Sequence, residues 1–260
     1  MYSLSVNGIN IHYRQLGDPS HPHLVLINSL GTDFRMWQYL IDLLQDRFRI
    51  TCYDKRGHGL SDAPPSPYQM SQHYDDLIAL LDALEIHSPV LCGDSVGGLI
   101  AQGVAARQPQ KVRALILCDT AAKIGSDEMW NPRIEAVRHN GVEALAAGTM
   151  ERWFTVETQQ EPNKLSLWRN MLVRTPDQGY MGTAIAIRDE DHTELTRGLK
   201  MPALVVVGEE DGATPPELVK GLADLIEGSR FEIIKGAGHL PSIEQPDHLA
   251  GLITEFCDGL

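Results

Sequence analysis

The chain has 260 residues, 43% hydrophobic and 22% charged, with a formal net charge of -13. That length suits one α/β domain carrying an insertion, able to bury roughly 70–75% of its unfolded surface. The acidic balance argues against nucleic acid and anionic membranes as partners, and no run of residues is apolar for long enough to span a bilayer.

Tyr2, Leu4 and Val6 alternate with polar residues, Asn7-Gly8 is a tight-turn signal, and Ile9, Ile11 and Tyr13 alternate back. This pattern predicts a β-hairpin. Apolar runs at Leu24–Ile27 and Arg49–Tyr53 predict strands, with an amphipathic helix around Trp37–Leu44 between them. A helix near Ser71–Leu84 leads into a strand at Pro89–Cys92, a glycine-flanked serine, and helical character from Leu99 to Arg107. Ala114–Cys118 is a further strand. From 121 to 197 no β-branched run occurs, and Pro132, Pro162 and Pro176 punctuate helical stretches. Thr175-Pro176-Asp177-Gln178 reads as a capping box with proline at the first helical position. Ala203–Val207 and Phe231–Ile234 are strands again, and a helix over Pro246–Cys257 ends the pattern. Strands alternating with helices imply a largely parallel sheet. The division expected is a core of 1–120 and 198–260 with a helical cap at 121–197.

Cys52, Cys92 and Cys118 each end an apolar strand, as buried free thiols do. Met1 to Gln15 shows neither a basic start nor an apolar signal core, so a cytoplasmic location is expected. No CxxC pair and no His/Cys/Asp cluster at ligand spacing occurs. The expectation is therefore no metal and no cofactor, and the oligomeric state is left open.

Gly93-Asp94-Ser95-Val96-Gly97 follows a strand and opens a helix, which is the context of a nucleophile elbow. Small residues flank the serine because the turn is sharp, and the Val96 N–H falls at a helix N-terminus, where anions are favoured. A serine hydroxyl needs a histidine base, and that base needs a carboxylate to hold its tautomer. Asp211 follows the Ala203–Val207 strand and His239 follows the Phe231–Ile234 strand. Ser95 is therefore assigned as nucleophile, Asp211 as acid and His239 as base. Asp119, just past Ala114–Cys118, is the rival acid, with a loop hydrogen bond as its other reading. Glu209 and Glu210 read as edge charges. His58, in a tight turn, reads as structural, and His12, His21, His23, His87, His139 and His248 as surface or loop residues. The turn Asn28-Ser29-Leu30-Gly31 follows the Leu24–Ile27 strand, where a second oxyanion donor belongs, and Leu30 is chosen beside Val96.

With these residues in place, the chain resembles the α/β-hydrolases over nearly its whole length, including Asp54-Lys55-Arg56-Gly57-His58-Gly59 with Ser61 behind it. Within that superfamily it is most similar to bacterial 3-oxoadipate enol-lactonases of aromatic catabolism (the β-ketoadipate pathway). The likeness is carried by Asn28–Asp33, Asp54–Gly59, Leu117–Ala122, Trp130–Ile134, Ala213–Pro216 and Ile243–Gln245. Two departures are Asp94, where relatives often carry Leu, His or an aromatic residue, and Gly238-His239-Leu240-Pro241, which is closer to a generic esterase form. The resemblance implies an α/β-hydrolase fold with an inserted helical cap and a small carboxylated lactone as substrate. Ser29, Trp130, Arg133, Arg138 and Trp153 are the candidate substrate-binding residues, while Trp168 reads as packing between cap and core. A carboxylesterase or carbon–carbon bond hydrolase on the same triad is the alternative, and a non-catalytic receptor of this fold a further one. A haloalkane dehalogenase is disfavoured because its nucleophile would be a carboxylate where Ser95 stands.

Overall fold

The computed structural model of the chain describes residues 2–260. β1 (Tyr2–Val6) and β2 (Ile9–Leu16) form the hairpin. Asn7 and Gly8 take φ of 47° and 78°, the paired positive values of a type I′ turn, which asparagine and glycine tolerate best. β3 (His23–Ile27), β4 (Arg49–Tyr53), β5 (Val90–Asp94), β6 (Ala114–Cys118), β7 (Ala203–Gly208) and β8 (Arg230–Ile234) complete an eight-stranded sheet of order β1-β2-β4-β3-β5-β6-β7-β8. β2 runs antiparallel to β1 and β4, and every other pairing is parallel. Every residue of β5, β6 and β7 is buried, as expected for parallel strands covered on both faces.

α1 (Gln38–Leu44), α2 (Met70–Ala83) and α3 (Val96–Arg107) alternate with these strands. Six helices lie between β6 and β7: α4 (Asp127–Asn140), α5 (Ala146–Trp153), α6 (Val156–Gln159), α7 (Pro162–Val173), α8 (Asp177–Asp189) and α9 (Thr193–Arg197). α10 (Pro216–Leu225), α11 (Pro241–Glu244) and α12 (Pro246–Asp258) follow. α1 packs with α12, while α2 packs on α3 and α9 bridges α3 to α10, so the sheet is covered by two helical groups. Strand order changes direction between β3 and β5, and a crevice opens beyond the carboxyl ends of strands at such a switch point. The turn after β3 and the elbow after β5 both lie there.

α3 begins at Val96 rather than Leu99. Gly97 and Gly98 read as loop residues by propensity, but the turn at Ser95 is tight enough for the helix to start at once. The capping box expected at Thr175 does not form. Thr175 Oγ1 donates back to the Met171 carbonyl, Asp177 Oδ1 accepts from the Val142 N–H, and Gln178 Oε1 accepts from the Ser66 N–H. Pro176 is the residue flanking α8 rather than its first member. These side chains tie α8 to neighbouring segments, and a reciprocal cap instead forms at α2, where Gln72 accepts from the Gln69 N–H.

The turn after β4 is buried and densely bonded, and this overturns the surface reading of His12. That residue is 8% exposed, and its Nδ1 lies 2.8 Å from Asp54 Oδ2. Asp54 also accepts from the N–H groups of Phe34 and Leu60, so one carboxylate ties β2, the turn after β3 and its own turn together. His21 and His23 are half-buried, and His87, His139 and His248 are exposed. Next to Asp54, Arg56 makes a buried bidentate pair with Asp76 at 2.6 and 2.8 Å. Removing one member of such a pair strands the other charge in the interior. Asp76→Ala is expected to lower unfolding free energy by about 3–5 kcal/mol, read as a drop in the urea midpoint. An unchanged midpoint would show that Arg56 finds other compensation.

Candidate active site

Ser95 sits between β5 and α3 with φ 55° and ψ -117°. A non-glycine residue holds such a conformation only when its surroundings impose it. A Cβ on Gly93 would lie 2.2 Å from the Gly97 carbonyl oxygen, and one on Gly97 would lie 2.2 Å from the Ile27 carbonyl oxygen. The flanking glycines are therefore required by close backbone approach. The Ser95 N–H donates to the Cys118 carbonyl at 2.9 Å, and the Thr120 hydroxyl donates to the Ser95 carbonyl at 2.6 Å, pinning the elbow to β6.

Asp211 and His239 meet as the sequence suggests. His239 Nδ1 lies 3.0 and 2.9 Å from the two Asp211 oxygens, which leaves Nε2 for the cavity. Asp211 also accepts from the N–H groups of Ala213 and Thr214 and from the Thr214 hydroxyl. Burial favours the neutral carboxyl, but the His239 charge and these hydrogen bonds outweigh it and hold Asp211 below the usual carboxylate range. Burial likewise opposes a charged His239, yet Asp211 prevails and raises its pKa. The His239 N–H donates to the Trp153 carbonyl at 2.8 Å, so the end of α5 helps place the imidazole.

Asp119 lies directly behind this pair: one atom each from Asp119, Asp211 and His239 fall within 4.8 Å of one another. Its Oδ1 accepts from the Gly208 N–H at 2.8 Å, the loop role read for it in sequence, and the imidazole hydrogen bonds go to Asp211. Glu209 and Glu210 are exposed. His58 is fully buried, its Nδ1 donating to the Arg56 carbonyl and its Nε2 accepting from the Gly31 N–H. It is thus structural in a specific sense, a brace under the turn that carries Leu30. Val96, the first residue of α3, has an N–H with no carbonyl four residues back to take it. The Leu30 N–H likewise has no acceptor among the described residues.

Ser95, His239, Ser29 and Leu30 line a small cavity of about 40 Å³, closed over by Trp130, Arg133 and Trp153. Arg138 does not reach it: more than half exposed, it pairs with Glu135 one turn back on the outer face of α4. The sequence reading missed Arg152 and Tyr180, which line the cavity. Arg152 lies one turn beyond Thr149 and next to Trp153, so the helical phase of α5 was the available signal. Among the described residues its guanidinium bonds only to the Thr149 hydroxyl, and burial followed by the like charge of Arg133 depresses its pKa. Arg133 stacks 5.2 Å from the Trp130 ring and has no carboxylate partner among the described residues. Trp168 is buried away from the cavity, as expected of a packing residue. A larger groove of about 740 Å³ runs past Phe34, Leu60 and Met171, but neither a serine nor a cysteine lines it. Chemistry, and not size, marks the site.

Residues 22–246 match the family described as alpha/beta hydrolase fold. The chain is an alpha/beta hydrolase. This hydrolase is 34% identical over 245 residues to 3-oxoadipate enol-lactonase 2 of Acinetobacter baylyi, covering 94% of the chain and 91% of that protein. It superimposes on the crystal structure of the enol-lactonase from Burkholderia xenovorans LB400 with a TM-score of 0.96 and 38% identity, covering 99% and 100% of the two chains. A thermophilic esterase from Thermogutta terrifontis, solved with malate bound, is also similar, with a TM-score of 0.92, 31% identity and coverage of 99% and 96%. No helix among the described residues is long and apolar enough to cross a membrane.

The buried imidazoles differ in charge environment, and NMR titration of their ring protons reads that directly. His239 is expected to titrate above the ordinary 6.5, gaining its proton as pH falls through that raised value. His192, where burial dominates, is expected to stay neutral down to about 4. The reverse order would refute the Asp211–His239 pairing.

Proposed function

We propose that the hydrolase opens 3-oxoadipate enol-lactone to 3-oxoadipate through an acyl-enzyme on Ser95. The observation that carries this reading is the pair Arg133 and Arg152, two guanidiniums beside the nucleophile without carboxylate partners among the described residues, in a chain of net charge -13. A neutral ester offers such a pair no anion, whereas a carboxylated lactone offers one that guanidinium takes bidentately. The likeness to enol-lactonases supports the same substrate.

Ser95 Oγ attacks the lactone carbonyl while His239 Nε2 takes its proton and Asp211 holds the imidazole tautomer. The tetrahedral oxyanion is held by the Leu30 and Val96 N–H groups. Collapse breaks the ring C–O bond, and the departing enol oxygen takes the proton from His239. The enol is a good leaving group and tautomerises to the ketone. Water activated by His239 then attacks the acyl-enzyme, its proton passes through His239 to Ser95, and the dicarboxylate product leaves. Ser29, Trp130 and Trp153 shape the cavity, and Arg133 and Arg152 hold the substrate carboxylate, the part assigned in sequence to Arg133 and Arg138. The similarity to an esterase favours a carboxylesterase as second reading.

Three comparisons test this. Ser95→Ala is expected to remain folded and lose several orders of magnitude in kcat on the lactone, and a variant retaining a few per cent of the rate would refute the nucleophile. Asp211→Asn is expected to cost far more activity than Asp119→Asn. Arg152→Ala and Arg133→Ala are each expected to lower kcat/KM on the lactone by roughly 10–100-fold while sparing a neutral p-nitrophenyl ester. Equal losses on both substrates would make the arginines structural and leave the esterase reading.

A further inference from the structure

Ser29 and Leu30 share one planar peptide unit, so the Ser29 carbonyl and the Leu30 N–H are opposite ends of the same dipole. The N–H end has no acceptor among the described residues, and Leu30 lines the cavity with Ser95. Lys55 makes the shortest bond to the carbonyl end, its Nζ donating to Ser29 O at 2.5 Å, while the Thr32 hydroxyl donates at 2.9 Å and the Thr32 N–H and Asn28 Nδ2 at 3.3 and 3.4 Å. Lys55 is only 1% exposed, and its ammonium makes no other hydrogen bond and no ion pair among the described residues. Burying an ammonium this way is costly, and a methionine would fill the space without charge.

We propose that Lys55 is a positioning residue of the oxyanion hole: its ammonium orients and polarises the Ser29–Leu30 peptide and makes the Leu30 N–H a stronger donor to the transition-state oxyanion. A cation on the carbonyl oxygen strengthens the N–H at the other end of the peptide, the cooperative effect of linked hydrogen bonds in a low dielectric. The proposal rests on the serine-hydrolase part of the function above and is independent of which ester or lactone is cleaved.

The charges around Lys55 fit this role. Burial is the largest influence and pulls its pKa well down, while the carboxylates of Asp54, Asp33 and Asp94 favour the ammonium. His58 and His73 also face it, and burial holds both neutral; Arg56 is its chain neighbour. Asp94, the residue beside the nucleophile, is fully buried, and neither oxygen has a hydrogen-bond partner among the described residues. Burial pushes its carboxyl up to about 8, with His239 and Lys55 opposing and Asp211 adding to the shift. Asp94→Leu removes one of the three carboxylates that favour the ammonium, so Lys55 then loses its proton at lower pH.

Hydrolysis of p-nitrophenyl acetate by the full chain tests the proposal. Lys55→Met is expected to lower kcat by roughly 10–100-fold with KM within about twofold, because the oxyanion exists only in the transition state. Phenylboronic acid, which forms a tetrahedral adduct on an active serine, is expected to lose affinity by a similar factor. Lys55→Gln, which keeps a neutral donor, should fall between wild type and Lys55→Met. In Asp94→Leu the alkaline limb of kcat should move to lower pH. A folded Lys55→Met with unchanged kcat, or with raised KM and unchanged boronate affinity, would overturn the proposal. Should Lys55→Met fail to fold, an unmoved alkaline limb in Asp94→Leu overturns it instead. A wild-type chain that neither cleaves the ester nor binds the boronate defeats the serine-hydrolase reading and this proposal with it. One that cleaves esters but not the lactone leaves the proposal standing.

Discussion

Backbone crowding at the elbow sets the position of everything else in the site. Ser95 holds a positive φ because β5, α3 and the end of β3 approach so closely that Gly93 and Gly97 have no room for side chains. The strain is held by bonds to β6, through the Cys118 carbonyl and the Thr120 hydroxyl. β6 is in turn fully buried between β5 and β7. A strained turn on an exposed edge would relax; one anchored to the centre of a buried parallel sheet cannot, because relaxing it would disturb the register of three strands. The same crowding places the first free N–H of α3 beside the serine, so the hydroxyl and an unpaired backbone donor come from one constraint.

The turn after β3 is built differently, by side chains brought in from elsewhere. Lys55, Thr32 and His58 bond the peptides on either side of Leu30, and Asp54 reaches back to the Phe34 N–H. All except Thr32 come from the single turn after β4. That turn is therefore the support of the loop that carries Leu30, and its own support is the Arg56–Asp76 pair with α2. One donor is held by packing of the main chain and the other by a chain of buried polar groups. The second arrangement is the more sensitive to substitution, since each link leaves an unpaired buried group when broken.

The strands were legible in the sequence because β1 and β2 alternate around an Asn-Gly turn and the others are short runs rich in apolar residues, and each catalytic candidate follows the end of one, as Asp211 follows Val207 and His239 follows Ile234. The Asp211–His239 pair was legible for the same reason: its spacing is a property of strand ends, and strand ends are local features. What was not legible depended on which face of an element meets another. His12 alternates with core residues on β2 and reads as an edge histidine until β4 places Asp54 against it. Arg138 and Arg152 are equally plausible as charges on helices, and only the packing of α4 and α5 over the elbow turns one outward and the other in. Thr175 carries the pattern of a cap, but its hydroxyl is taken by the preceding helix and its neighbours by distant backbone groups. Local propensity loses wherever tertiary contacts offer the same atoms a better bond.

Charge in the site is layered, and the layering reconciles an acidic protein with the anionic substrate proposed for it. Asp94, Asp119 and Asp211 lie buried at the ends of the central strands, below the nucleophile, while Arg133 and Arg152 come from the helices above it. Burial favours the neutral form of all three carboxyls, and only Asp211, bonded by His239 and Thr214, is held below the usual range. The imidazole is acted on first by Asp211, which is hydrogen-bonded to it, and the Asp94 charge adds to the effect. Surface acidity is screened by solvent ions beyond roughly 10 Å, whereas two half-buried guanidiniums within one cavity are not. An anion that reaches the cavity meets a local field opposite in sign to that of the whole protein. In the proposed reaction the reacting carbonyl then meets a serine whose hydrogen-bonded neighbours are already in place.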